Sequence, residues 1–173
     1  KDGLGEIDYV NGDRYIGNWK QGFRDGRGDI VYKNGDQYKG EWANDLKQGQ
    51  GIYYYANGEI YDGLWYSDVK MGRGKYSYKN GDQYEGEWSD GSRQGYGIFK
   101  DNLGNVYEGD WLNDMKMGSG IFKDVNGDGN INSDAGNVLQ DDYDGEVIGS
   151  AYPDLELGWS NVITFGDWTI NAF

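Results

Sequence analysis

The chain has 173 residues, no cysteine and no histidine, and a formal net charge of −14 at pH 7. The missing cysteines exclude a disulfide framework and a thiol site, and the missing histidines remove the usual zinc ligands and the usual general base at neutral pH. The 31 glycines and the aromatic content of 16% favour β-structure over helices. No apolar run in the sequence approaches the roughly 20 residues that a membrane-spanning helix needs.

The acidity is concentrated near the C-terminal end. Residues 1–123 contain 20 acidic and 16 basic side chains, whereas residues 124–173 contain 10 acidic and no basic side chains. The second segment cannot form ion pairs with its own Lys or Arg, so its surface is either solvated or binds cations. Because nucleic acids and anionic membranes are bound by clustered Lys and Arg, we expect neither as a partner.

A tyrosine–glycine–tryptophan motif recurs along the chain every 23 residues. Its copies occupy Tyr15–Trp19, Tyr38–Trp42, Tyr61–Trp65, Tyr84–Trp88 and Tyr107–Trp111. A Gly-x-Gly motif keeps the same interval from Gly3 to Gly120. A short fixed period predicts a repeat architecture in which neighbouring units share one continuous core.

Within one unit the residue spacing predicts two antiparallel strands. Tyr38, Gly40 and Trp42 fall on one face of a strand, and Gly49 and Gly51 share a face of the next strand. Asn-Gly pairs between the strands predict two-residue type I′ turns, with Leu103-Gly104 as the variant. The glycines leave room in which large rings can pack. The predicted fold class is all-β: an elongated, single-layer, antiparallel β-hairpin solenoid.

Tyr-x-Gly-x-Trp followed seven residues later by Gly-x-Gly, at a 23-residue interval, resembles the MORN (membrane occupation and recognition nexus) repeat. The resemblance covers residues 1–123 as a half repeat plus five units. It implies a gently twisted antiparallel ribbon that acts as a non-catalytic scaffold. Some such arrays occur at membranes and some self-associate. Others are attached to phosphoinositide kinases or SET-type methyltransferases, which have no counterpart in this chain.

An insertion in a hairpin turn, at residues 124–142, interrupts the repeat. The next Tyr-x-Gly is expected at residue 130 but occurs at Tyr143-Asp144-Gly145, which is 13 residues later. From Tyr143 onward the repeat degenerates. Residues 143–173 are therefore predicted to form a degenerate repeat and a C-terminal β cap, with strands at 162–165 and 168–170, that covers the last apolar face of the array.

The inserted loop is the candidate metal site. Residues 124–132 fit Asp-x-Asn-x-Asp-Gly-x-Ile-Asn, the first nine positions of an EF-hand-type calcium loop, and resemble a dockerin loop. Oxygen ligands in a flexible loop favour Ca²⁺ over Mg²⁺ or zinc. Ala135 stands where the loop needs an acid, so Asp134, Asp141 and Asp142 are alternatives for the closing ligand. The predicted ligands are Asp124, Asn126, Asp128, Asn130 and Asp134. The alternative is a solvated acidic turn without an ion.

Three functions are open at this stage. The first is a non-catalytic scaffold, presenting its ring rows to a protein partner or to another copy of itself, with end-to-end association through open sheet edges. The second is a secreted carbohydrate-binding module that stacks sugars on those rows, and binding to insoluble polysaccharide distinguishes it from the first. The third is an enzyme, such as a glycosidase, or an accessory region of a larger enzyme.

We expect no enzymatic activity. Among 30 acidic residues some carboxylate pairs lie at the distance that a glycosidase needs by chance alone, so such pairs do not indicate catalysis. The calcium-type loop and the absence of cysteine favour an extracellular or cell-surface location.

Calcium is predicted to stabilise the chain. At a concentration of 100 times its Kd, a bound ion adds about 2.7 kcal/mol to the free energy of unfolding. The melting temperature should therefore rise with Ca²⁺, and Asp128→Ala should abolish the rise. Calorimetric titration measures the binding directly, and a melting curve that a chelator leaves unchanged contradicts the prediction.

Overall fold

The computed structural model of the protein describes residues 1–123, 147–148, 162–165 and 168–171. This part of the chain is built of β-strands and short turns, and it contains no helix long and apolar enough to cross a membrane. The strands are β1 (Gly3–Asp8), β2 (Arg14–Lys20), β3 (Phe23–Val31), β4 (Gln37–Ala43), β5 (Leu46–Tyr54), β6 (Ile60–Tyr66), β7 (Val69–Ser77), β8 (Gln83–Ser89), β9 (Ser92–Lys100), β10 (Val106–Leu112), β11 (Met115–Lys123), β12 (Val147–Ile148), β13 (Val162–Phe165) and β14 (Trp168–Asn171).

Strands β1 to β12 form one open antiparallel sheet in which spatial order follows chain order. Gly faces Gly at each hairpin, as in the Gly40–Gly51 pair of β4 and β5. The all-β repeat ribbon predicted from the period is therefore confirmed. At its C-terminal end Ile148 of β12 lies opposite Gly120, whereas Tyr143–Gly145, predicted to supply the next strand, lie outside the described residues.

Strands β13 and β14 pair with each other as a two-stranded sheet. They match the strands predicted at 162–165 and 168–170. The role of residues 143–173 as a cap stays a prediction, because most of that segment lies outside the described ranges.

Each unit is organised by a tyrosine ring that lies over two paired glycines. The Tyr38 ring covers Gly40 on its own strand and Gly51 on the opposite strand, and a Cβ built on Gly40 would lie 2.6 Å from Tyr38 Cζ. The Tyr38 hydroxyl donates a hydrogen bond to the Glu41 carbonyl at 2.9 Å. The same arrangement recurs at Tyr15, Tyr61, Tyr84 and Tyr107. The packing role predicted for the glycines is confirmed.

Each tryptophan joins its unit to the preceding one. Trp42 Nε1 donates to the carbonyl of Gly28 at 3.0 Å, and Trp65 Nε1 to that of Gly51 at 3.0 Å. The Tyr38 ring meets Trp42 and Trp65 edge-to-face, with centroids 5.1 and 5.5 Å apart. Such pairs add about 0.5–1.5 kcal/mol beyond their buried area. The alternating rings form a continuous row from Tyr15 to Trp111 along one face of the sheet.

The turns differ from the sequence prediction. At the Asn-Gly sites Tyr32 pairs with Asp36 through a three-residue loop, in which Gly35 has positive φ and Asn34 does not. Asn34 Oδ1 accepts a hydrogen bond from the Asp36 N–H, which favours a type I turn followed by a glycine bulge. The type I′ prediction for these sites is wrong.

Positive φ at both central residues occurs at the other end of each hairpin instead. Asn44 and Asp45, with φ of 49° and 68°, connect Ala43 to Leu46. These two-residue connections place their second residue, Asp45 in this unit, beside the preceding hairpin, because the Asp45 N–H donates to the Arg24 carbonyl at 3.0 Å.

Gly40→Ala should destabilise the sheet by about 1–3 kcal/mol, because its methyl group would overlap the Tyr38 ring and force the core apart. In an open strand the same substitution removes unfolded-state freedom and stabilises, so the sign of the effect is diagnostic. The midpoint of urea unfolding measures it.

Lys39→Ala is the matched control. Lys39 is exposed and makes only a surface ion pair with Asp29, at 3.7 Å, so its loss should change stability by less than about 0.5 kcal/mol. An unchanged or raised midpoint for Gly40→Ala would refute the ring-on-glycine account.

Candidate functional site

A row of cations lies along the aromatic face. Each is the second residue of the strand that follows a two-residue turn, and the members recur every 23 residues: Arg24, Lys47, Lys70, Arg93 and Lys116. Arg24 lies 4.1 Å from the ring centroid of Trp42, and Arg93 lies 4.2 Å from that of Trp111. A cation over a tryptophan face contributes about 0.5–2 kcal/mol, depending on its desolvation. These half-buried cations therefore lie over the ring row and form the floor of the surface above it.

Aspartates from the next hairpin neutralise three of these cations. Asp45 Oδ1 lies 3.1 Å from Arg24 Nε and also accepts the Arg24 N–H at 2.8 Å. The same two interactions join Asp68 to Lys47 and Asp114 to Arg93. Burial raises the pKa of Asp114, but the Arg93 N–H and guanidinium outweigh it and hold that pKa below its ordinary value. Each aspartate thus fixes both the backbone and the side chain of one cation in the row.

The fourth unit departs from this pattern. Gly91 occupies the position of Asp68 and Asp114, and the exposed Asp90 that precedes it in the turn forms no ion pair with Lys70. Lys70 Nζ lies 4.2 Å from the centroid of Trp88, and burial lowers the pKa of Lys70.

Half-buried tyrosines lie on the other side of the cation row from the aspartates. Tyr9, Tyr32, Tyr55 and Tyr78 precede the three-residue turns, again at 23-residue intervals. Burial raises the pKa of Tyr32 to about 12. We call the space between these tyrosines and the aspartates the cation groove. Around Arg24 the groove encloses a volume of about 380 Å³. The residues that line it there include Tyr32, Arg24, Trp42, Asp45 and Lys47.

Acids at the tyrosine side are held by neighbouring hairpins. The Tyr53 hydroxyl donates to Asp36 at 2.8 Å, and the Tyr76 hydroxyl donates to Glu59 at 2.7 Å. The bond from Tyr76 lowers the pKa of Glu59, and burial together with the bond to Asp36 raises the pKa of Tyr53. At neutral pH the carboxylates are charged and the phenols protonated, so each contact is a hydrogen bond from a neutral phenol to a carboxylate.

The opposite face has an exposed apolar row, which we call the apolar margin. Phe23, Leu46, Val69 and Met115 each precede a groove cation and so project to the other side of the sheet. Tyr66 and Leu112 pair with Val69 and Met115 across the two-residue turns. Tyr66 and Met115 are 58% and 51% exposed.

Of the two sets of site residues predicted from the sequence, the structure describes the ring rows but not the metal ligands. The tryptophans of the ring rows are at most 7% exposed, so they belong to the core and not to an open surface. The metal ligands predicted at Asp124, Asn126, Asp128, Asn130 and Asp134 all lie outside the described residues. Within the described ranges no group of acidic side chains is arranged to hold a metal ion. The sequence analysis missed the cation row, although its 23-residue spacing was visible.

Comparison with known proteins places these observations in a family. One solved structure, the SAS-4 (dCPAP) TCP domain in complex with a proline-rich motif of Ana2 (dSTIL) of Drosophila melanogaster, is similar at 14% identity. The similarity covers 71% of this chain and 84% of that chain, with a TM-score of 0.33. No curated protein gives a significant match.

The sequence model of the MORN repeat matches residues 15–37, 38–60, 61–83, 84–102 and 107–129. These matches have the period of the hairpins and cover more than half of the chain. The chain therefore belongs to the MORN repeat family.

Proposed function

We propose that the protein is a non-catalytic interaction scaffold that holds an extended segment of a partner protein along the cation groove. The observation that carries the proposal is the repetition of one binding unit, a cation on a tryptophan between a tyrosine and an acid, at the same place in the hairpins of Arg24, Lys47 and Arg93. Because the groove cations lie on alternate strands, the groove crosses the strands. Two strand spacings are about 10 Å, or about three residues of an extended chain.

The rigidity of the groove supports this role. Its floor is fixed by aromatic packing beneath and by ion pairs such as Lys47–Asp68 at 3.1 Å. A preformed surface loses little conformational entropy when a partner binds, and this improves affinity. The exposed edges of tyrosines and arginines supply the residue types that are enriched in protein interfaces.

Sugar stacking on the tryptophan row has less support. The face of Trp42 is covered by Arg24, and the edges of Tyr15 and Tyr38 occupy other sides of the ring. A sugar needs an open ring face, so carbohydrate binding would depend on the half-buried tyrosines of the groove wall instead.

We also propose that Ca²⁺ stabilises the inserted loop at residues 124–142. The support is the loop sequence and the absence of Lys and Arg from residues 124–173. A bound cation would relieve the repulsion among the acids of this segment. Calcium would act there as a structural ion, and the scaffold role does not depend on it.

A second candidate function is self-association through the apolar margin. Six exposed apolar side chains line one edge of the face opposite the cation groove, and such a patch marks an interaction surface. A second copy presents the same row at the same spacing, so the two rows would match in length and period.

Photo-crosslinking from the cation groove tests the first role. p-Benzoylphenylalanine at Tyr32 or at Tyr55 should crosslink to a protein in native extract, because both rings line the groove. Mass spectrometry of the adduct should identify one extended segment of the partner.

Tyr96 provides the matched control. It is also an aromatic residue, 52% exposed, and it projects from the opposite face between Gly95 and Gly97. Adducts formed equally well from Tyr96, or none from the groove positions, would contradict the proposal.

Self-association is tested by sedimentation velocity. The double variant Leu46→Asp, Tyr66→Asp should lower the sedimentation coefficient of any oligomer to that of the monomer, because carboxylates in the margin repel between copies. Substituting Ser89 and Ser92 by Asp serves as control, since the fourth unit already has polar residues at the equivalent positions. A wild-type chain that stays monomeric at all concentrations rules out this role.

A further inference from the structure

Lys70 differs from Arg24, Lys47 and Arg93 in one respect. In the units of Arg24, Lys47 and Arg93 a single aspartate carboxylate accepts the backbone N–H and pairs with the side-chain cation. At Lys70 the turn has Gly91 in that place, so both donors lack the acceptor that their counterparts have. The backbone is otherwise the same, because the Gly91 N–H still donates to the Lys70 carbonyl at 3.1 Å.

The surrounding acids do not replace the missing carboxylate. Asp114 is paired with Arg93 at 3.0 Å, and Glu59 accepts the Tyr76 hydroxyl at 2.7 Å. Asp90, the first residue of the turn that contains Gly91, is exposed and is not paired with Lys70. Within residues 1–123 no carboxylate lies within ion-pair distance of Lys70 Nζ. A half-buried ammonium without an acceptor is costly, and a carboxylate that accepts from both donors would remove that cost.

We propose that the place left open by Gly91 is a docking site for one carboxylate side chain, supplied by an extended segment of a partner protein. This proposal rests on the scaffold function proposed above and adds the chemistry and the position of its anchor. The partner's Asp or Glu takes the position that Asp45, Asp68 and Asp114 occupy in their own units. It accepts hydrogen bonds from the Lys70 N–H and from the Lys70 ammonium.

The proposal also specifies what should not bind. The neighbouring cations Lys47 and Arg93 already have partners, and Asp68 and Asp114 flank the site on either side. A single acid in an otherwise uncharged segment is therefore favoured, whereas a run of acids is repelled. One carboxylate at one unit also fixes the register of the partner along a groove in which Arg24, Lys47 and Arg93 are already paired.

Nuclear magnetic resonance titration of the ¹⁵N-labelled full chain tests the site. The probe is an uncharged Gly/Ser nonapeptide, blocked at both ends, with one central aspartate. It should shift the amide signals of residues 70 and 88–91 at saturation, and the same peptide with a central asparagine should bind at least tenfold more weakly. Inorganic phosphate and a peptide with a central phosphoserine are added in separate arms.

Two variants should abolish the binding. Gly91→Asp supplies the internal carboxylate, and we expect it to fold because Asp45, Asp68 and Asp114 adopt the positive φ that this position requires. Lys70→Gln removes the charge without filling the site. Each should weaken binding of the aspartate peptide at least tenfold.

Two further variants provide controls. Lys39→Gln, which removes an exposed cation on the opposite face of the sheet, should change the Kd by less than about twofold. Asp68→Gly should create a second site, with new shifts at the amides of residues 47 and 65.

Equal binding of the aspartate and asparagine peptides, or unchanged affinity in Gly91→Asp, would overturn the assignment. Binding of phosphate or phosphoserine in preference to the carboxylate would overturn it as well. If photo-crosslinking from the groove still captures a partner, the scaffold proposal survives and only the anchor is wrong. If the aspartate peptide binds as expected while no partner is captured, the anchor stands and the scaffold proposal fails.

Discussion

The structure depends on the contact between a tyrosine ring and the two glycines beneath it. In a single-layer sheet no second layer covers the rings, so burial must come from the sheet itself. Pairing Gly40 with Gly51 opens a space that the Tyr38 ring occupies, and Tyr38 is 0% exposed although strands β1 to β12 form a single sheet. This explains how a chain poor in aliphatic residues forms an ordered core.

The same contact determines where recognition can occur. Because the rings form the core, the groups available for interaction on this face are those placed above them, the cations of the groove floor and the acids that fix them. Arg24 lies over Trp42 and is paired with Asp45, so one unit contributes the ring and the next contributes the acid. Replacing one acid, as at Gly91, therefore changes the electrostatics of one unit without changing its backbone.

The sequence predicted the repeat, the strand pairing and the role of the glycines, because side chains alternate strictly in strands and Tyr38, Gly40 and Trp42 keep that spacing. It did not predict the turns, because an Asn-Gly pair fits both a two-residue and a three-residue loop and the Asn34–Asp36 hydrogen bond decides between them. The cation groove was also missed. Lys47 and Asp68 are 21 residues apart, and their contact depends on the stacking of hairpins rather than on either hairpin alone.

The hydrogen bonds of the tryptophans have a consequence for dividing the array. Trp42 needs the carbonyl of Gly28, Tyr38 needs the space over Gly51, and Trp65 needs the carbonyl of Gly51. These contacts follow one another along the chain without a gap. Every peptide bond between residues 15 and 120 therefore lies between the two residues that at least one such contact joins. No boundary separates the ribbon into self-sufficient modules. A shortened array would leave either a tryptophan without its carbonyl acceptor or a tyrosine ring without a glycine that it packs on, and its new end would fray.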